Sequence, residues 1–537
     1  MKDKEGEERS TLGDSLKSAS KDKLLIFGLF VAAIVLYTSG LGNLPLRDWD
    51  EGIVAGVARN IWRGSSNYTW LYPTINYDAP YWNKPPLIHW LIAISYSLFG
   101  VSEWSTRIVP ALLSAASVPL LYLIGREIFA AKLPAIFSAL VYLTLLPIAR
   151  HGRVAMLDGA IGCWFCLAVW CLLRGRGYSL WLLGTGFALG LVCLTKGMMM
   201  GVLFGGIIII FLAWDSPKLL RSIYLWGGLI LGIIPAIAWY GLQYLHYGEE
   251  FLSTNLGTQT FSRIWEPVSN ASSPPWYYLL EIAKYSLPWL IFLPYGIKIA
   301  IDRRNTTWAK LALVWNGVYL LAISLMVTKL PWYVIPIYPG LSLLVGISLA
   351  EAWKHDLSFY FWRFSMSLVA MICWLGGAYY SLIAVSSEAN IASILILLAV
   401  GFTLATLLLW LRSRYFIPVT IVSFYLALLL LFNSTYWLWE LNEAFAVKPT
   451  ATVLKQYVPP RKNIYTNYPN FRPSLDFYSD RVVIPASDEQ LQQYWQQKPI
   501  YLFVDVEAIE RLNLTPHKSL AVLDDPQWQL ITQSDRQ

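Results

Sequence analysis

Between Leu24 and Tyr436 the chain is a succession of apolar runs separated by short loops that carry its Lys and Arg residues. Runs of roughly 17–25 apolar residues match the hydrocarbon thickness of a bilayer when wound as α-helix. Inside lipid, helices and closed barrels are the structures that satisfy the backbone. We place spans near 24–42, 105–125, 132–149, 154–173, 178–194, 198–214, 222–246, 276–298, 310–327, 333–352, 362–384, 390–411 and 416–436, about thirteen in all. Composition agrees: 14% of residues are charged and 56% hydrophobic, against about 25% charged in a soluble domain. The 26 Trp and 32 Tyr residues suit side chains that sit at the membrane interface. Residues 1–23 are polar and of mixed charge, and the run after them is long enough to remain as a span, so they read as a cytoplasmic tail rather than a cleaved leader.

The basic loops orient these spans. Short loops rich in Lys and Arg stay in the cytoplasm, and those at 125–132, 174–176, 218–221, 298–310, 354–363 and 412–414 fall on one side, together with the N-terminal tail. The net charge of +7 is dispersed over these loops and does not imply a nucleic-acid partner. Segment 86–100 is apolar but short, and counting it as a span would turn the later basic loops outward, so it reads as an interfacial helix or a partly inserted hairpin. The outer face then receives residues 43–104, 150–153, 195–197, 246–275 and 328–331. An odd span count puts the polar tail, about 440–537, outside as well. Its β-like runs at 463–466, 481–484, 501–505 and 528–532, with a helix at 488–497 capped by Ser487, predict a small α/β domain.

The ionisable residues that interrupt the membrane pattern collect on that outer face. Asp50 and Glu51 follow the first span; a carboxylate there can serve as general base or open a helix, where acids favour the macrodipole. Lys84 precedes Pro85-Pro86, which stiffen the backbone, and can meet a lipid phosphate or simply snorkel. Asp158 lies near the outer end of its span, where a carboxylate is expensive unless paired or functional, and Arg150 and Arg153 are nearby partners. Lys196, Arg263 and Lys329 are further cations on this side, and several converging cations suit a phosphate. His246, Glu249 and Glu250 lack a second His at ligand spacing. The five cysteines lie inside apolar runs and read as buried apolar residues.

Taken together, the Asp50-Glu51 pair, Tyr81-Trp82-Asn83-Lys84-Pro85-Pro86-Leu87, Leu98-Phe99-Gly100 with Arg107, the stretch from Arg153 to Asp158, Leu194-Thr195-Lys196-Gly197, and Trp332-Tyr333 with Tyr338-Pro339 resemble the bacterial GT-C glycosyltransferases. These include the 4-amino-4-deoxy-L-arabinose lipid A transferases and the dolichyl-phosphate-mannose protein mannosyltransferases. The resemblance covers about 40–350, and the tail matches mainly in position. It implies an α-helical polytopic membrane protein of the GT-C fold, with a transmembrane domain at 24–436, a catalytic first outer loop at about 43–104 and a soluble exoplasmic α/β domain at 440–537. It further implies an inverting transferase that moves a sugar from a polyprenyl-phosphate carrier, among membrane lipids, to a lipid, protein or glycan acceptor at the outer face of the cell membrane. Asp50 takes the place of the base, with Glu51 beside it. Lys84 falls where a lysine contacts the donor phosphate, Asp158 on the acid of the second outer loop, and Lys196 on the Thr-Lys-Gly element. Arg150, Arg153, Arg263 and Lys329 are the other cations expected near the donor phosphate. There is one departure. Where the aminoarabinose transferases commonly have a metal-holding glutamate, this chain has Asn83, and residues 251–263 contain no histidine. No cofactor is therefore expected and no metal ligand is assigned, with a divalent metal left open. The rival reading is a lipid or sugar transporter, which would place ionisable residues at mid-membrane in repeated halves; no such repeat is evident.

Overall fold

The structure, a computed structural model, describes residues 2–64, 68–267, 273–383, 389–438, 445–496, 500–515, 517–523 and 527–533. It divides into two compact units, one of residues 1–40, 83–85 and 110–434, the other of residues 41–82, 86–109 and 435–537.

The first unit is helical. Every one of the predicted apolar segments lies in helix, but three are broken. Segment 132–149 is two helices, Lys132–Thr144 and Leu146–His151, the second restarting with Pro147 in its first turn, where the missing N–H costs nothing. Segment 276–298 is Tyr277–Tyr285, a 3-10 turn Trp289–Phe292, and Leu293–Asp302, with Pro288 and Pro294 at the breaks. A 3-10 stretch, Pro331–Ile337, leads into Tyr338–His355. Among the described residues, seven helices are by themselves long and apolar enough to cross a membrane, including Glu103–Ile128, Ile223–Tyr247 and Asn390–Trp410. The chain is a multi-pass membrane protein.

The Trp181–Lys196 and Ile223–Tyr247 helices cross where both carry glycines four apart. A Cβ on Gly190 would overlap the carbonyl of Gly232, one on Gly186 the backbone of Gly228, and one on Gly232 the carbonyl of Gly186. Backbones meet there with no room for side chains, the geometry small residues permit in membrane helix pairs.

The second unit begins with the Asp50–Arg63 helix, a hairpin pairing Thr74–Ile75 with Ala79–Pro80, and the Leu87–Phe99 helix. The short apolar segment at 86–100 is thus helical, as expected. In the tail, five strands are ordered Val482–Pro485, Asn463–Thr466, Tyr501–Asp505, Trp528–Gln533 and His517–Val522. The first three run parallel, with Ile464 opposite Val483 and Tyr501, and the last two are added antiparallel. Four strands sit within a residue of their predicted bounds; His517–Val522 was not foreseen. The Asp488–Trp495 helix opens with Ser487 as cap, in a reciprocal capping box with Gln490. Three further helices, Val447–Tyr457, Pro473–Ser479 and Val506–Arg511, complete the tail. The first of them buries Val447, Ala451 and Leu454, at helical spacing, against Ile464, Leu475, Phe503 and Leu530. Residues 41–82 and 86–109 thus fold with the tail, whereas hydropathy alone draws the line near 440.

Candidate functional site

Three acids lie within four residues at the start of the Asp50–Arg63 helix, and the fold treats them differently. Trp49 is the N-cap residue, at φ 65 and ψ −100, and its side chain makes no capping bond. Asp50 is therefore the first helical residue, where an acid favours the macrodipole. Glu51 is completely buried. Its Oε1 accepts from Arg107 Nε at 2.8 Å, and its Oε2 accepts from Arg107 Nη2 and from the Arg47 amide, both at 2.8 Å. Arg107 directs its other N–H groups to the carbonyls of Leu41, Leu44 and Pro45 at 3.0, 2.8 and 2.7 Å, which occupies all five donors of a guanidinium. Its plane lies 5.1 Å from the Trp437 ring. Glu51 is thus half of a sealed ion pair, and the expectation that it shares the catalytic role is corrected: a substrate has no access to it.

Asp48 is sealed in the same way. Its Oδ2 accepts from Arg472 Nε at 2.8 Å, and its Oδ1 from the Ser474 amide at 3.2 Å and from the Ser474 hydroxyl. Arg472 also donates to the Phe445 carbonyl at 2.9 Å. Asp50, between these two locked acids, is only partly buried. Neither Arg107 nor Arg472 was named as a site residue from sequence. Arg107 stood within the recognised motif set, but nothing local marks it as the partner of Glu51.

In the first unit the structure joins Asp158 to Lys196. Asp158 opens the Asp158–Arg174 helix, Lys196 ends the Trp181–Lys196 helix, and Lys196 Nζ forms an ion pair with Asp158 Oδ1, both side chains largely buried. The partner is thus Lys196, where Arg150 and Arg153 were expected. Lys196 Nζ lies 5.4 Å from the centroid of the Tyr333 ring. The Tyr333 hydroxyl accepts from Arg263 Nη1 at 3.0 Å, and Arg263 Nη2 donates to Gln259 at 2.5 Å. One aromatic ring therefore ties two predicted cations together. Tyr333 was missed as a site residue, although its motif was noted.

The remaining cations separate from this cluster. Arg153 is completely buried, donates to the Ser39 carbonyl and lies 4.2 Å from the Phe432 ring. Lys329 Nζ donates to the carbonyls of Ile323 at 3.5 Å, Ser324 at 2.9 Å and Met326. It closes the end of the Thr307–Leu325 helix, whose last carbonyls have no partner within the helix, and burial lowers its pKa. Arg153 and Lys329 thus each donate to backbone carbonyls of the fold. Arg150 is buried as well, while Lys84 is partly buried at a bend before the buried Pro85 and Pro86. Among the described residues no three His, Cys, Asp or Glu side chains gather as metal ligands do.

Comparison with known proteins agrees with this picture. The family model for dolichyl-phosphate-mannose-protein mannosyltransferase matches residues 83–240. An undecaprenyl phosphate-alpha-4-amino-4-deoxy-L-arabinose arabinosyl transferase of Pseudomonas fluorescens is 29% identical over 279 residues, 50% of each chain. Its namesake from Shewanella sediminis is 27% identical over 336 residues, 60% of this chain and 59% of that one. The chain thus spans half to three-fifths of the length of these relatives. Among solved structures, ArnT from Cupriavidus metallidurans bound to undecaprenyl phosphate superposes with a TM-score of 0.77 at 20% identity, covering 94% of this chain and 97% of that one. The archaeal oligosaccharyltransferase AglB from Archaeoglobus fulgidus follows at 0.53 and 12% identity, covering 92% and 70%. The fold is that of the GT-C proteins.

Proposed function

We propose that this chain, whose fold is that of the GT-C proteins, works as the aminoarabinose transferases and the dolichyl-phosphate-mannose protein mannosyltransferases do and transfers a sugar with inversion from a polyprenyl-phosphate carrier to an acceptor hydroxyl. The observation that carries this reading is the different burial of the three acids. Asp48 and Glu51 are buried against arginines, while Asp50 between them, in the first turn of the helix, is only partly buried.

In the proposed reaction Asp50 accepts the acceptor's proton as the acceptor oxygen attacks the anomeric carbon opposite the carrier phosphate. The bond from that carbon to the phosphate oxygen breaks, and the phosphate leaves with the electron pair. A phosphate is a good leaving group and needs stabilising charge more than a proton. Lys84, Lys196 and Arg263 are the cations assigned to it, with Asp158 positioning Lys196 through their ion pair and Tyr333 linking Lys196 to Arg263. No step passes through a metal.

The names of the relatives make an undecaprenyl-phosphate pentose the first donor to try, and the acceptor a lipid, protein or glycan. The reaction is assigned to the outer face of the cell membrane, with the N-terminus cytoplasmic and the tail exoplasmic, from the sidedness of the basic loops. Asp50→Asn should lower transfer by about 10²–10⁴-fold, the usual share of a general base, with donor binding and Tm unchanged. Transfer within threefold of wild type would reject Asp50 as the base. Donor lipid moved across vesicles without any transfer or hydrolysis would favour the transporter reading instead.

A further inference from the structure

One face of the Asp50–Arg63 helix, carrying Gly56, Arg59 and Arg63, opens on a cavity of about 450 Å³ inside the second unit, a size that suits a small polar molecule. The hairpin tip, with Asp78, and the tail residues Arg461, Asp476, Asp480 and Arg481 form its other walls. Among the described residues its walls include none of Asp50, Lys84, Asp158 or Lys196, so it is not the place of the proposed transfer. Both the tip and the facing tail segment hold backbone conformations that L-residues rarely adopt. Asn76 and Tyr77 lie at φ 48 and 67, and Arg461 at φ 62. Such residues persist only where their surroundings over-determine them, and they concentrate at ligand sites.

The walls carry more positive charge than negative. Four arginines stand against three acids, and two of the arginines share one of them: Asp480 faces Arg59 at 3.2 Å and Arg63 at 2.7 Å. Arg481 directs its donors to the carbonyls of Val458 at 2.8 Å and Asp480 at 2.9 Å, which leaves its charge uncancelled. Burial, with Asp48 adding to it, holds the Asp476 carboxyl well above the usual carboxylate range against the opposing Val483 amide and Arg59, which favours its neutral form. With Asp476 neutral, two carboxylates answer four guanidiniums. Two of these arginines are open to a ligand. Arg63 is 47% exposed; its Nη1 donates to Asp480, and its Nε and Nη2 have no acceptor among the described residues. Arg461 is 76% exposed and stands 3.5 Å from the equally exposed Asp78. A surface pair of that kind is worth little, so Arg461 can exchange Asp78 for a stronger partner.

We infer that this cavity binds a phosphate monoester, held by the exposed Arg63 and Arg461 with the charge of the largely buried Arg59 and Arg481 added to theirs. Such a group carries about −1.5 to −2 at pH 7, which matches the excess of the walls, and its oxygens accept from guanidinium groups in pairs. A neutral ligand leaves the excess unanswered, and a single carboxylate answers half of it. Asp78 is the competitor: it faces Arg461 in the empty cavity and repels an incoming anion. The same chemical group exists free in solution and as a lipid headgroup, and the test separates these two sources. Three kinds of variant probe the site without touching the buried walls. Arg63→Gln and Arg461→Gln each remove an exposed arm. Asp78→Asn removes the competitor. Gly56→Leu fills the cavity, because a Cβ on Gly56 meets nothing within 4 Å and leucine favours the helix.

The test is calorimetric titration of the full-length protein in phosphatidylcholine nanodiscs. The probes are glycerol 3-phosphate and glucose 6-phosphate, with glucose and acetate for comparison, each at up to about 10 mM to reach millimolar affinities. We expect at least one phosphate ester to bind, and glucose and acetate not to. Arg63→Gln and Arg461→Gln should each weaken binding at least fivefold, the second with Tm unchanged. Binding should be lost in Gly56→Leu and tightened at least twofold in Asp78→Asn. A second titration in nanodiscs that contain phosphatidic acid names the source. A soluble ester excluded there assigns a lipid headgroup, and one still bound assigns a free ligand. No binding of either ester, equal binding of glucose or acetate, or binding that survives Gly56→Leu or the Arg63→Gln/Arg461→Gln double variant overturns the site. Unchanged or weaker binding in Asp78→Asn overturns the exchange of partners at Arg461. No donor lipid is present, so the outcome does not depend on the transfer reaction.

Discussion

Replacing Arg107 by methionine removes the cation that Glu51 is buried against and strands the carbonyls of Leu41, Leu44 and Pro45. Leaving one member of a buried ion pair behind costs about 3–5 kcal/mol, and each lost hydrogen bond about 1 kcal/mol more. A total of about 6–8 kcal/mol is a large part of the 5–15 kcal/mol that holds a typical domain. The double variant Arg107→Met/Glu51→Leu removes the stranded charge and leaves only the carbonyls and the Arg47 amide without their partners. It should cost about 4 kcal/mol, so the two changes should couple by about 2 kcal/mol or more. Hydrogen exchange across residues 41–64 of the purified full-length protein, with denaturant unfolding, reads both quantities. Protection there should collapse in Arg107→Met and largely return in the double variant. If the double variant is as destabilised as the worse single variant, or if Arg107→Met costs under 1 kcal/mol, the pair is not the clamp described.

Lys329→Met removes the bonds that close the Thr307–Leu325 helix and should cost about 1–2 kcal/mol with donor-lipid affinity unchanged; a tenfold loss of donor affinity would return Lys329 to the phosphate site. Gly190→Leu forces a side chain into the carbonyl of Gly232 and should cost about 3 kcal/mol, whereas Gly205→Leu, where a Cβ meets nothing within 4 Å, should be nearly neutral by the same thermal scan. Burial raises the Asp480 carboxyl, but the hydrogen bond from Arg63 and the charges of Arg59, Arg63 and Arg481 outweigh it, so its folded pKa lies below the ordinary value. The stability it contributes is present above about pH 4, the unfolded value, and is lost as pH falls through the lower folded pKa. Asp480→Asn should therefore narrow the drop in Tm below pH 4, and an unaltered acid limb would reject the pairing.

What was legible in the sequence is what local physics decides. Span positions follow from apolar length, and Ser487 with Gln490 forms a cap within four residues of chain. The breaks at 286–292 and the strand His517–Val522 were not legible, the second because its pairing with Trp528–Gln533 and not its own composition makes it a strand. The site divides along the same line. Asp158, Lys196 and Arg263, distant in sequence, meet around Tyr333. Which acid is sealed and which is not depends on Arg107, 56 residues from Glu51, and Arg472, 424 residues from Asp48. Lys329 and Arg153 show the opposite case, a role that charge alone does not reveal. Their charge suggested a phosphate; Lys329 donates to carbonyls three to six residues away, and Arg153 donates to the carbonyl of Ser39.

The two sealed pairs also account for the strain beside Asp50. Trp49 at φ 65 is an unfavourable conformation for a bulky residue, and it is fixed because both neighbouring acids are tied to distant arginines. Gly52 completes the arrangement: a Cβ there would overlap the amide of Ser474 and the ring of Pro473, so the segment that binds Asp48 can press directly onto the first turn. A general base works only when its carboxylate is placed to a fraction of an ångström against the hydroxyl it serves. A solvated loop after a membrane span would not supply that precision. Here it comes from one arginine in the Glu103–Ile128 helix and one in the tail, which makes the tail part of the support of the proposed base and not a separable appendage.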